Sequence, residues 1–125
     1  MIADTTFVSD FIKERQQGVV GPARTFFAAH RPELIRTTII TVGEVLPLFR
    51  RNPEGWQWLT NWAVYRLHEG IVNTAADVDR ELIIAGKRLG ENDNWIAGFV
   101  RYHREPIVSR DEDFDRVKDL RRIAY

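Results

Sequence analysis

The residues in this sequence whose types and spacing could do chemistry are carboxylates. Asp4 follows the apolar opening Met1-Ile2-Ala3, and Glu44 follows the β-branched stretch that ends at Val42. Asp93 stands beside Asn92 ahead of an apolar helical pattern, and Asp111 follows Pro106-Ile107-Val108. Acids gathered in one cleft repel and raise each other's pKa. A hard divalent cation relieves that repulsion and prefers oxygen ligands. Bound Mg²⁺ or Mn²⁺ can polarise a phosphoryl oxygen and acidify a bound water, which is the chemistry of phosphodiester hydrolysis. Each acid also has an ordinary alternative. Asp93 and Glu44 suit the positive end of a helix, and Asp4 and Asp111 suit turns.

The elements that must position these acids follow from periodicity. Met1 to Ala3 reads as a short buried strand ending at Asp4, and Phe7, Val8, Phe11 and Ile12 repeat at helical spacing. Gly18 and Gly21 interrupt that helix, Pro22 opens another through His30, and Pro32 punctuates its end. Arg36 to Val42 is the strongest strand signal. The helix after it should begin near Gly43 or Glu44, because Pro47 is tolerated only in a first turn. Pro53 starts a helix through Trp56 and Trp58, and Ala63 to His68 alternates like a strand. Thr74 is the expected N-cap of a helix carrying Val78, Leu82, Ala85 and Leu89. Asn92 is the expected cap of one carrying Trp95, Ile96, Phe99 and Val100. Ile107-Val108 and Leu120 to Tyr125 supply the last strands, with Asp113 and Phe114 in a turn or short helix. Strands alternating with helices predict an α/β fold with a mostly parallel sheet. Ligand sites of such sheets lie beyond the strands' carboxyl ends, which is where Asp4, Glu44 and Asp111 are expected.

Composition narrows the classes. The chain has 125 residues, which suits a single domain over 1–125, and 44% hydrophobic residues, enough for an ordinary core. Eighteen basic and eighteen acidic residues cancel, so any nucleic acid must be held by local patches or a bridging metal rather than by overall charge. The absence of cysteine excludes disulfides, thiolate metal sites and a cysteine nucleophile. No basic start precedes an apolar stretch and no apolar run is of membrane-spanning length, so a soluble, cytoplasmic protein is expected.

At this point the motifs resemble a known family. Met1-Ile2-Ala3-Asp4-Thr5-Thr6-Phe7 resembles the opening strand and first acid of PIN-domain nucleases, particularly VapC-type toxins. Thr38-Ile39-Ile40-Thr41-Val42-Gly43-Glu44-Val45 is similar to the second acidic motif, Gly90 to Ala97 to the third, and Ile107 to Phe114 to the fourth. The resemblance spans the whole chain in the family's order. It implies a PIN-like three-layer fold and a metal-dependent endoribonuclease, the toxin of a type II toxin–antitoxin pair. It implies Mg²⁺ or Mn²⁺ on Asp4, Glu44 and Asp93, with Asp111 as the fourth acid, often through water. An RNA substrate, a cognate antitoxin and a homodimer are implied with it. Ser109 stands where the family usually has Thr and is implied to help orient this fourth group. Thr6 stands where many members have Asn, and its hydroxyl can hydrogen-bond a neighbouring carboxylate. Pro47 departs from the pattern as well.

Among other features, Arg110 beside Asp111 and Lys87-Arg88 ahead of Asp93 are candidates for phosphate contacts, with solvated charge as the plainer alternative. His30, His68 and His103 are scattered and suit packing or surface roles. Trp58 and Trp62 share a helical face while Trp56 points elsewhere, which suggests an apolar patch for a second copy or an antitoxin helix. Two competing functions are a Mg²⁺-dependent phosphatase or receiver-like domain, and a non-catalytic PIN-like interaction module. The first normally needs a lysine near the last strands, and Arg110 is the only basic residue expected at that carboxyl edge; the second has no need of all four acids.

Overall fold

The computed structural model describes residues 1–30 and 35–125, so the expectation for Pro32 lies outside the described residues. Among the described residues, five strands form one parallel sheet in the order β3-β2-β1-β4-β5: β1 (Ile2–Ala3), β2 (Arg36–Thr38), β3 (Ala63–Tyr65), β4 (Ile107–Val108) and β5 (Arg122–Ile123). Between them run α1 (Thr5–Gln16), α2 (Pro22–Ala29), α3 (Ile39–Val45), α4 (Asn52–Leu59), α5 (Glu69–Ala85) and α6 (Glu91–His103). Successive strand residues face opposite sides of a sheet, and the central strands use both. Ile2 and Ile107 face a core built with Ile71, Val78, Leu82, Ile96 and Phe99 of α5 and α6. Ala3 and Val108 face the second core, built with Phe7, Phe11, Phe26 and Val42 from α1 to α3. The result is the expected three layers, with every strand pairing parallel.

Several expectations about boundaries are corrected. The β-branched run Arg36 to Val42 is strand only to Thr38, and α3 begins at Ile39 rather than near Gly43. Thr38 caps it, its Oγ1 accepting from the Thr41 amide at 3.2 Å. Thr41, Val42 and Val45 are then buried at helical spacing. Tertiary packing overrides β-propensity here. Pro47 falls in a 3-10 helix, Leu46–Leu48, after α3 has ended. Thr74 does not cap α5. His68 does, accepting from the Gly70 amide at 3.2 Å, and Thr74 lies inside the helix. The helix ends at Gly86, whose φ of 67° is the left-handed conformation a helix stop favours, so Leu89 is buried outside it. Gly90, not Asn92, occupies the N-cap of α6.

The connection between α1 and α2 is held by Glu14, whose carboxylate accepts from the amides of Gly21, Ala23 and Arg24 at 3.0, 3.1 and 2.9 Å. It satisfies the free amides at the start of α2, where negative charge is favoured. Helices α5 and α6 cross at Gly98. A Cβ there would stand 2.7 Å from Ala75 Cβ and 3.0 Å from Ala75 Cα. Because α6 carries Asp93 in its first turn, this contact helps set where that acid lies. Gly98→Ala should therefore force the helices apart and destabilise the domain by about 2 kcal/mol. Urea unfolding checks this, with an unchanged midpoint as the contrary result.

Candidate metal centre

Asp4 occupies the junction of β1 and α1. Its Oδ1 caps the helix by accepting from the Phe7 amide at 2.7 Å. Its Oδ2 accepts from the hydroxyl of Ser109, just beyond β4. The Ser109 oxygen in turn accepts from the Asp111 amide at 2.9 Å, so one buried hydroxyl ties the first acid to the backbone of the fourth. Asp4 is 3% exposed and Ser109 is fully buried. Asp111 caps the 3-10 helix Glu112–Arg116, accepting from the Asp113 amide at 2.9 Å.

Glu44 arrives differently. It is the penultimate residue of α3, more than a full turn beyond the strand end, and it is exposed. Its Oε2 accepts from the Thr5 hydroxyl and its Oε1 from the Asn92 side-chain amide at 2.7 Å. Asp93 follows Asn92 in the first turn of α6 and is half-buried.

Electrostatics connect these positions. Burial pushes the Asp4 carboxyl up from 3.8 to about 6, against the hydrogen bonds from Ser109 and Phe7, and the charges of Asp93 and Asp111 push the same way. Asp93 is raised too, by burial first and then by Asp111, Glu44 and Asp113. Among the described residues, none of the ion pairs engages Asp4, Glu44, Asp93 or Asp111. No three His, Asp or Glu side chains among them form a ready-made cage for a metal ion. The donors still suit Mg²⁺, which takes one or two carboxylates and keeps several waters rather than needing an all-protein cage.

The other expected site residues divide. Ser109 is within the cluster. Thr6 is exposed on the first turn of α1, and the hydroxyl that reaches a neighbouring carboxylate belongs to Thr5 instead. Arg110 pairs with Asp10 and lies over the Tyr125 ring at 5.1 Å. Tyr125 also donates to Asp10, at 2.8 Å. Arg88 is held by both oxygens of Asp79 at 2.9 Å. The histidines pack or cap. His103 stacks on Tyr65 with centroids 3.6 Å apart, and His30 stacks on Phe26 at 3.9 Å. The sequence alone does not mark Thr5, Thr41 or Asn92 as partners of the acids. A threonine beside the first acid and an asparagine beside the third were the available signals, but neither has a spacing relation to Glu44.

A family model described as PIN domain matches residues 1–120. The chain belongs to the PIN-domain family. No curated protein matches it. Solved structures share the fold at low identity. VapBC2 from Rickettsia felis, bound to a DNA fragment from its promoter, is 13% identical with a TM-score of 0.79 over 99% of this chain and 97% of that one. VapBC-1 from nontypeable Haemophilus influenzae is 19% identical at 0.77, covering 98% and 96%. A toxin–antitoxin complex from Klebsiella pneumoniae is 18% identical at 0.73, covering 95% and 93%.

The raised Asp4 gives this PIN domain a pH signature. Between pH 3.8 and about 6 the folded protein keeps a proton that the unfolded chain has lost. That part of the stability is full below the lower value and disappears as pH rises through the upper one. In metal-free buffer the loss should be about 3 kcal/mol, with Asp93 acting in the same direction. Asp4→Asn should flatten the decline. Chemical denaturation across this range tests it, and an equal slope in the variant would count against the assignment.

Proposed function

We propose that this PIN domain is a metal-dependent endoribonuclease, the toxin of a type II toxin–antitoxin pair acting in the cytoplasm. The observation that carries the proposal is that Ser109 joins Asp4 to the Asp111 backbone and Asn92, the neighbour of Asp93, donates to Glu44, while no cationic side chain forms an ion pair with these four acids among the described residues. Burying anions together is costly unless something neutralises them, and a divalent cation with oxygen preference fits the donors present.

Asp4, Glu44 and Asp93 would hold Mg²⁺ or Mn²⁺, with Asp111 contributing through water. When bound, the metal supplies polarisation of a phosphoryl oxygen and a more acidic attacking water. The chain's own part is orientation. Ser109 and the Phe7 amide fix both oxygens of Asp4. Ser109 also fixes the backbone that presents Asp111. Arg110 supplies positive charge next to this edge, shared with Asp10, for a phosphate of the RNA.

The partner proposed is a cognate antitoxin, by analogy with the complexes that share this fold. Self-association is proposed through the face bearing Trp56. Trp58 and Trp62 are stacked on each other and packed on Phe11, whereas Trp56 is 42% exposed. Light scattering of the isolated protein is expected to give a dimer, and Trp56→Glu a monomer. A wild-type monomer at micromolar concentration would remove the dimer.

The enzymatic proposal is tested with a mixed RNA substrate. Cleavage should require Mg²⁺ or Mn²⁺. Asp93→Asn should cost more than the about 10- to 100-fold typical of groups that only orient a metal ligand. The variant's metal-free fold should be as stable as wild type or slightly more so, since one repelling charge is gone. Mn²⁺ should raise the wild-type melting temperature more than the variant's. An intact protein that binds RNA or a partner and never cleaves would mark it as an interaction module instead.

A further inference from the structure

Glu44 is an exposed acid, yet both of its oxygens are held, one by Thr5 from α1 and one by Asn92 from α6. An exposed glutamate ordinarily keeps its rotamer freedom, and fixing it costs entropy. The two donors are the residue after Asp4 and the residue before Asp93. Each therefore rides on the helix turn that carries another acid of the cluster.

Behind Thr5 stands a row of hydroxyls. Thr5 Oγ1 lies 3.1 Å from Thr41 Oγ1, and Thr38 Oγ1 lies 3.5 Å beyond that. Thr38 and Thr41 are fully buried. A carboxylate only accepts, and each hydroxyl has one proton to donate. Thr5 must therefore give its proton to Glu44, Thr41 must give its own to Thr5, and Thr38 points toward Thr41. The polarity of the row is set from the carboxylate end, and chains of aligned hydrogen bonds reinforce one another.

We infer that Thr5 and Asn92 form a two-sided clamp that positions Glu44 for the metal, with Thr41 and Thr38 backing the Thr5 side. The inference rests on the function proposed above. A carboxylate has about four lone-pair directions, so two protein donors leave others for a cation or its water. They also fix the plane in which those directions lie. Thr5 and Asn92 are positioning residues, acting through Glu44 alone.

The test compares Thr5→Val, Thr5→Ser, Asn92→Ala and Asn92→Asp in wild-type and Glu44→Ala backgrounds. Mn²⁺ titrations followed by the melting temperature of the RNA-free protein read metal binding without catalysis. Cleavage assays add kcat and KM. Thr5→Val and Asn92→Ala should raise the half-saturating Mn²⁺ concentration by about tenfold or more, leave the KM for RNA near wild type, and have no further effect once Glu44 is alanine. Thr5→Ser keeps the hydroxyl and should restore wild-type behaviour. Asn92→Asp keeps the shape and replaces the donor with a repelling charge, so it should lower melting in metal-free buffer. Wild-type Mn²⁺ response with unchanged half-saturation in Thr5→Val and Asn92→Ala would overturn the clamp alone. Losses that persist in Glu44→Ala would also overturn it, since the residues would then act elsewhere. A wild type that neither responds to Mn²⁺ nor cleaves RNA would overturn the metal-dependent function, and the clamp with it.

Discussion

Asp4 is a carboxylate with 3% exposure at the end of the central strand, and two further acids lie close enough to raise it. Removing such a charge from water is expensive unless hydrogen bonds or an opposite charge answer it. The protein supplies part of the first, one donor to each oxygen, from the Phe7 amide and the Ser109 hydroxyl. The second comes from no ion pair among the described residues. The local design therefore orients negative charge and leaves it repelled.

That arrangement depends on the sheet. Strand β1 is flanked by β2 and β4, so its carboxyl end is surrounded by the ends of both neighbours. Helix α3 leaves β2 through Thr38, and Ser109 leaves β4. The cores on the two faces hold these ends in register. One is built with α5 and α6, the other with α1 to α4. The close approach of Gly98 to Ala75 then sets how α6 meets α5, and through it where the first turn of α6 carries Asn92 and Asp93. Packing far from the acids is thus part of what places them.

Positive charge near the site is organised by pairing rather than by excess. Arg110 shares Asp10 with Tyr125, Arg88 is held by Asp79, and Arg122 by Asp115 at 2.8 and 2.9 Å. Exposed pairs of this kind contribute little to stability. What they do is fix long side chains in one place. In a neutral chain with 18 charges of each sign, such pairing sets where the cationic groups sit.

The sequence by itself determined the parts that depend on order and pattern. The buried opening strand, the apolar periodicities of α1 and α6, and the acids at the ends of β1 and β4 are all local features, and each is where periodicity puts it. Only the tertiary structure decided where β2 ends. Ile39 to Val42 has the composition of a strand, and it is helical because Thr38 caps it and Thr41, Val42 and Val45 find a core on one side. The same holds for the partners of Glu44. Thr5 and Asn92 lie 39 and 48 residues from it in the chain. Hydrogen bonds over such separations follow from how helices pack, and no spacing along a single strand of sequence encodes them. The choice of Thr5 over Thr6 is of that kind as well. Adjacent residues on a helix point about 100° apart, so which hydroxyl meets the carboxylate was decided by the rotation of α1 against α3.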